Sequence, residues 1–300
     1  MNIIFMGTPD YADTILKRLI KESEISITSV YTQPDRPVGR KKVMTPPPVK
    51  VTANRSGINC YQPVTLQKKD VAETIKSKKP DFIVVAAYGQ ILPKSILDIA
   101  PCINLHASLL PKYRGASPIQ QALLNGDKTT GITAMLMEEG LDSGPILSWS
   151  VTKIDIDDRK NDLFNKLAYM AAELTVETLK NFSKISPLKQ LDTDVSYCKK
   201  IKKSDGLIAF EDSAKSIYNK FRAYEKWPGI YLESGLKLID ISLTDHEGKA
   251  GTIVKIDDGI VVACKIGAIK INRVQPPSKK EMDSLSYIRG KRLGIEDIFI

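Results

Sequence analysis

The sequence predicts an α/β chain in two parts, a doubly wound parallel sheet followed by a small β-barrel. Two observations predict the first part. Apolar β-rich runs such as 81–87 alternate with amphipathic helical patterns, and turns rich in glycine and proline follow the runs. A third observation predicts the second part. From residue 230 short β-rich runs (230–232, 236–242, 251–255, 260–264 and 267–273) succeed one another with turns but no helix between them, and closing five such strands into a barrel hides their edges. A chain of 300 residues is long enough for two domains. We expect them at 1–186 and 205–300, joined by a basic linker at 187–204.

Residues 2–6 are an apolar run fit for a buried parallel strand, and Gly7-Thr8-Pro9-Asp10 turns it into a helix through Ala12, Ile15, Leu16 and Leu19. A Gly-x-Gly-x-x-Gly fingerprint is absent, which weakens a dinucleotide-binding reading. Strands are expected at 24–31, 58–61, 81–87, 102–106 and 130–137. Helices are expected from 49, at 68–78, 93–99 and 118–124, and, longer and amphipathic, at 159–183. The run 146–151 reads as an antiparallel addition at the sheet edge, and 213–223 as a helix ended by Trp227-Pro228-Gly229.

No apolar stretch approaches the roughly 18 residues of a membrane span, and the amino-terminal run lacks the features of a signal peptide. A cytoplasmic protein is expected. Cys60, Cys102, Cys198 and Cys264 are scattered without Cys-x-x-Cys or Cys/His spacing, so free thiols and no metal site are expected. The formal charge is +9, and it is uneven: 15 basic and 14 acidic residues lie in 205–300, against 29 and 21 before it. A polyanionic partner fits that balance.

The strand 102–106 carries the candidate chemistry. Alternation points Asn104 and His106 to one face and Ile103 and Leu105 to the other. Pro111 ends the run, Tyr113-Arg114-Gly115 makes a turn, and Ser117-Pro118 opens the next helix. An amide and an imidazole thus sit at the carboxyl end of a strand, where open parallel sheets bind ligands. Asp142, in the Gly140-Leu141-Asp142-Ser143-Gly144 loop after the next strand, is the acidic candidate, since neighbouring loops of a parallel sheet converge on one edge. A lone strand histidine is more often structural. His106 is one of only two histidines, and Asp142 gives it a partner. Ser108 stands in no nucleophile motif and reads as a turn residue.

Residues 33–50 form a proline-rich basic loop with Arg36, Arg40, Lys41, Lys42 and Lys50 opposed only by Asp35. Lys199, Lys200, Lys202 and Lys203 cluster in the linker. Both read either as solvated surface or as grips for a phosphate backbone.

Taken together, these stretches resemble the methionyl-tRNA formyltransferases of bacterial and organellar type. The resemblance is carried by Phe-Met-Gly-Thr-Pro-Asp at 5–10, Tyr-Thr-Gln-Pro-Asp-Arg-Pro-Val-Gly-Arg at 31–40 and Val-Val-Ala-Ala-Tyr-Gly-Gln-Ile-Leu-Pro at 84–93. It continues through Asn-Leu-His-Ala-Ser-Leu-Leu-Pro at 104–111, Gly-Leu-Asp-Ser-Gly at 140–144, Phe-Arg-Ala-Tyr-Glu-Lys-Trp-Pro-Gly at 221–229 and Val-Gln-Pro-Pro-Ser-Lys-Lys at 274–280. It implies a Rossmann-like domain and an oligonucleotide-binding-like (OB-like) barrel. It also implies transfer of the formyl group of 10-formyltetrahydrofolate to the α-amine of initiator methionyl-tRNA, by a monomer without a metal. Asn104, His106 and Asp142 would be catalytic. Tyr88, Gly89, Gln90, Ile91, Leu92, Ser108, Leu109, Leu110, Pro111, Glu138, Gly140 and Leu141 would face the folate. Arg36, Arg40, Lys41, Lys42, Lys199, Lys200, Lys202 and Lys203 would face the tRNA. In one departure, Arg40 runs directly into Lys41-Lys42, where members of this family commonly carry an intervening glycine.

Two rival readings share part of the pattern. A formyltransferase acting on a small amine would use the same Asn104, His106 and Asp142 without needing the basic loop. A non-catalytic nucleic-acid-binding protein would need the loop and not the site.

Overall fold

The structure, a computed structural model, describes residues 1–39 and 41–299. The chain divides into two compact units. Met1–Pro118, Thr129–Ile154 and Asp162–Cys198 form the first, and Ile119–Lys128, Asp155–Asn161 and Lys199–Ile300 the second.

The first unit is built on a seven-stranded, Rossmann-like sheet. Its order is Ile146–Lys153, Thr129–Leu136, Cys102–His106, Phe82–Ala86, Asn2–Gly7, Ser26–Tyr31 and Cys60–Tyr61. The five strands from Cys102–His106 to Cys60–Tyr61 are parallel. The apolar runs explain their central position: Ile3, Ile4, Phe5, Met6, Ile83 and Val84 are fully buried. The chain starts mid-sheet, steps out to Ser26–Tyr31 and Cys60–Tyr61, then returns to the other side at Phe82–Ala86. The switch point therefore lies beyond Gly7 and Ala86, where ligands bind such sheets, and the Thr8 hydroxyl donates across it to the Tyr88 carbonyl at 2.9 Å. Gly7 is required there because a Cβ would stand 2.5 Å from the Ala12 Cβ.

Three sequence expectations are corrected. The sheet is mixed, and the reversed strand is Thr129–Leu136, antiparallel to Cys102–His106. Ile146–Lys153 is antiparallel to that strand in turn. The helix Pro118–Asn125 stands between the two strands in the chain, and an antiparallel neighbour needs no crossover onto the sheet. The 33–50 loop is not irregular throughout: Arg36–Val38 pairs antiparallel with Val43–Thr45. Residues 188–198, expected inside a linker, belong to the first unit. Ile146 and Leu188 exchange two backbone hydrogen bonds of 2.8 Å, Tyr197–Cys198 pairs with Arg114–Gly115, and Gln190 is buried.

The second unit holds an antiparallel sheet in the order Ile230–Tyr231, Lys237–Thr244, Ala268–Gln275, Ile260–Ala263 and Ile253–Ile256, with Met282–Asp283 added to Ala268–Gln275. The helix Ala214–Ala223 starts at Ser213, whose hydroxyl accepts from the Ser216 amide. Buried Arg222 on this helix donates to the carbonyls of Asp155 and Asp158 and to Asn219 Oδ1, tying 155–161 to the unit. A helix that the sequence pattern did not suggest, Ser284–Lys291, is capped by Asp283, which accepts from the Ser286 amide at 2.7 Å.

Tyr88 follows the strand Phe82–Ala86 with its ring in the core at 2% exposure and its hydroxyl unpartnered. Burial pushes the phenol up to about 12. A raised folded-state value means that the stability it contributes is complete below the ordinary tyrosine value near 10 and is lost as pH rises towards 12. Tyr88→Phe is expected to keep stability at pH 7 within about 1 kcal/mol of wild type, or to raise it, because it removes an orphaned hydroxyl. Stability should then decline less steeply between pH 10 and 12, which urea unfolding at several pH values measures.

Candidate active site

The strand Cys102–His106 alternates as its sequence dictates. Ile103 and Leu105 are buried, and Asn104 and His106 share the other face. After His106 the chain makes a tight turn. The Ser108 hydroxyl donates to the Lys112 carbonyl at 2.6 Å. Buried Thr133 donates to the Ser108 carbonyl at 2.7 Å and accepts from the Leu110 amide at 3.1 Å. Tyr113 then adopts a left-handed backbone, φ +61°, an uncommon state for a bulky residue. Its carbonyl lies 2.9 Å from His106 Nε2. A carbonyl only accepts, so Nε2 carries the hydrogen and Nδ1 is the nitrogen left to gain or lose a proton.

Nδ1 faces Asp142 Oδ2 at 3.6 Å. The other oxygen, Oδ1, accepts from Asn104 Nδ2 at 3.2 Å, and Oδ2 also accepts from the Gly115 amide at 2.9 Å. Amide, imidazole and carboxylate are therefore brought together. The route differs from convergence of parallel loops, because Thr129–Leu136 runs backwards and its exit begins level with Cys102, where the Met137 amide bonds the Cys102 carbonyl at 2.8 Å. The 138–145 loop then returns to the Asn104/His106 face and holds Asp142 at φ +50°.

Four residues behind this trio escaped the sequence reading. Arg114 Nε and Nη2 donate to Gln190 Oε1 at 3.0 and 2.7 Å. Gln190 Nε2 donates to the Asp142 and Gly144 carbonyls at 2.9 and 2.8 Å. Ser196 Oγ accepts from the Tyr113 amide, and Cys198 Sγ lies 3.3 Å from both the Ser117 amide and the Tyr113 carbonyl. Gly115 is needed because a Cβ would come 2.4 Å from the Cys198 carbonyl. Burial pushes the Cys198 thiol up, and the Asp142 carboxylate adds to that, so it is no ready nucleophile. The Tyr-Arg-Gly turn was the only signal for Arg114. Gln190, in a polar stretch, had none.

The residues expected around a folate divide by exposure. Tyr88 and Leu92 are in the core, so at those positions only backbone can line a pocket. Gly89, at φ +86°, is exposed, and so is Ile91 at 84%. The Gln90 side chain is spent on the Leu66 amide and the Pro63 carbonyl. Glu138, Gly140 and Leu141 are exposed, and Met137 packs against the cluster holding Tyr88 and Leu92. Leu110 and Ser108 are buried, while Leu109 and Pro111 are half-buried. Among the described residues no group of three or more His, Cys, Asp or Glu side chains could hold a metal, and no helix is long and apolar enough to cross a membrane.

Lys41, Lys42 and Arg36 are exposed on the hairpin, Arg36 donating to Gln33 Oε1. Lys50 is instead paired with Asp35, at 2.9 Å. Gln62 and then Lys50 hold the Asp35 carboxyl below its usual range. Arg40 lies outside the described residues. Lys199, Lys200, Lys202 and Lys203 are exposed in the second unit.

A family model described as formyl transferase matches residues 1–179, and one described as the formyl transferase C-terminal domain matches 200–292. The chain belongs to the formyl transferase family. A relative from Nitratiruptor sp. named methionyl-tRNA formyltransferase is 57% identical over 100% of both chains. One of the same name from Campylobacter curvus is 55% identical over 98% of each. Among solved structures, an N-formyltransferase from Helicobacter canadensis in complex with folinic acid and dTDP-3-aminofucose shares the fold at a TM-score of 0.67. It is 18% identical, covering 90% of this chain and 98% of that one. HypX from Aquifex aeolicus, in complex with tetrahydrofolic acid, does so at 0.62 and 17% identity, covering 98% of this chain, which spans 48% of HypX.

In this formyl transferase the Ser108 hydroxyl is spent within its own turn. Ser108→Ala is expected to lower stability by about 1 kcal/mol and to leave kcat within about threefold of wild type, since no nucleophile is removed. Thermal unfolding and steady-state kinetics of the one variant check both.

Proposed function

We propose that this formyl transferase moves the formyl group of 10-formyltetrahydrofolate to the α-amine of methionyl-initiator tRNA. What carries the reading is the meeting of Asn104 and His106 at Asp142, 3.2 and 3.6 Å from its two carboxylate oxygens, in a chain alike from end to end to relatives named for that reaction.

The amine nitrogen bonds to the formyl carbon and loses a proton. The carbon–N10 bond breaks, and N10 gains a proton. Between those events the formyl oxygen carries negative charge. Asn104 uses one amide hydrogen on Asp142 and has a second to offer that oxygen. His106 acts through Nδ1, because Nε2 is committed to the Tyr113 carbonyl. Asp142 orients the imidazole across 3.6 Å and takes part in the proton transfers. The substrate amine is itself the nucleophile, so no covalent enzyme intermediate is needed. The folate ring lies against the 88–92 turn and the 138–141 loop. A single chain supplies all three groups, so a monomer suffices.

In this reading the first unit performs the chemistry, and the exposed lysines of both units meet the phosphates of the tRNA. Transfer of labelled formyl from the folate donor to charged initiator tRNA, set beside small amines as acceptors, tests the reaction. Transfer to a small amine alone would overturn the tRNA assignment. His106→Ala and Asn104→Ala are each expected to lower kcat by about 100- to 1000-fold with folate binding retained, as read by single-turnover transfer.

Lys41→Ala/Lys42→Ala removes two exposed cations from the hairpin. It is expected to weaken tRNA binding, to flatten the plot of log K against log salt by about one to two counterions, and to leave folate affinity unchanged. Binding titrations at several salt concentrations measure the slope.

A further inference from the structure

We propose that Arg114 and Gln190 are positioning residues that hold the Asp142 carboxylate in its working geometry. This inference rests on the reading of Asp142 as part of the formyl-transfer site.

Both side chains are buried, Arg114 at 6% exposure and Gln190 at 5%. Buried polar groups of this size need partners, and the Gln190 amide uses every hydrogen it has. Its oxygen takes two donors of the Arg114 guanidinium, and its two amide hydrogens go to the carbonyls of Asp142 and Gly144. Turning the amide over would set its nitrogen against the cation and its oxygen against two carbonyls, so only one orientation is satisfied. The cation also polarises the amide and strengthens its donation.

Asp142 is held twice from one place. The Gly115 amide, next in the chain to Arg114, binds the carboxylate, and Arg114 acts through Gln190 on the Asp142 carbonyl. The result is a closed circuit: Asp142 carbonyl, Gln190, Arg114, Gly115 amide, Asp142 carboxylate. It clamps a residue whose backbone stands at φ +50°, a conformation that needs outside support. Freeing the carbonyl lets the backbone relax and swings the carboxylate away from Asn104 Nδ2 and His106 Nδ1. A displacement of about 1 Å at a reacting group costs on the order of a hundredfold in rate.

Gln190→Glu tests this most directly. It keeps the size and the acceptor for Arg114 and so keeps the buried pair, but it sets an oxygen against the Asp142 and Gly144 carbonyls. Single-turnover formyl transfer to charged initiator tRNA is measured for wild type, Gln190→Glu, Asp142→Asn and the double variant, with KM for both substrates and the melting temperature. The expected result is about a hundredfold loss of kcat in Gln190→Glu, with both KM values within about threefold. A further expectation is no additional loss when Asp142 is already Asn, because residues acting as one unit are non-additive.

An equal loss in both backgrounds, or a lowered melting temperature with kcat intact, would overturn the proposal and leave the pair as packing alone. Wild-type turnover in Asp142→Asn would instead overturn the catalytic reading of Asp142, and this inference with it. Should Gln190→Glu fail to fold, Arg114→Lys keeps the charge but offers no fork. The expectation is then a loss of about tenfold in kcat, again absent in the Asp142→Asn background.

Discussion

The carboxylate of Asp142 is the constraint around which the first unit is arranged. A mostly buried charge is tolerated only when its oxygens are met by donors, and here the Asn104 amide and the Gly115 backbone supply them. Meeting those donors requires a loop that leaves Thr129–Leu136 level with Cys102 and comes back to the Asn104/His106 face. It also requires the left-handed residues Tyr113 and Asp142 at the two sides of the contact. The turn after His106, the reversed strand and the segment 188–198 are three answers to that single electrostatic demand.

The sequence made some of this legible and hid the rest for physical reasons. Runs such as Ile3–Met6 and Ile83–Val85 announce central strands, because a strand covered on both faces has no polar face to alternate with. The period of two set Asn104 beside His106 without any structure. The direction of Thr129–Leu136 was not legible, since an apolar run reads alike forwards and backwards. Its reversal is settled only by its antiparallel pairing with Cys102–His106, a contact between separate segments. Residues 188–198 were hidden for the opposite reason. Lys189, Gln190, Asp192 and Asp194 have the composition of a linker, yet Gln190 is buried because its partners are polar too. The helix Ser284–Lys291 was signalled only by an Asp283 cap three residues before Ser286.

Basic residues divide in the same way, and a net charge of +9 cannot express the division. Arg114 and Arg222 are buried and give their forks to glutamine, asparagine and carbonyl oxygens, so they hold segments of chain together. Lys50 is tied to Asp35. Lys41, Lys42, Lys199, Lys200, Lys202 and Lys203 stand in solvent. Lysine suits that setting, since a hydrated point charge on a flexible stem can follow a phosphate backbone without a fixed geometry, whereas the planar guanidinium repays burial.

The histidine shows how a backbone detail limits the chemistry. Because the Tyr113 carbonyl accepts from Nε2, any proton that His106 gives or takes passes through Nδ1, the nitrogen facing Asp142. Under the proposed reaction this removes the opposition between base and oxyanion partner. Nδ1 without its hydrogen can accept a proton leaving the amine. Once it holds that proton, the same nitrogen can donate to the charged oxygen and then supply N10 as the folate departs. The two roles become successive states of one atom, and the 3.6 Å to Asp142 Oδ2 is the distance across which the carboxylate steadies the second state. A left-handed tyrosine, stabilised by Ser196 on its amide, is thereby part of the proton path through its backbone carbonyl.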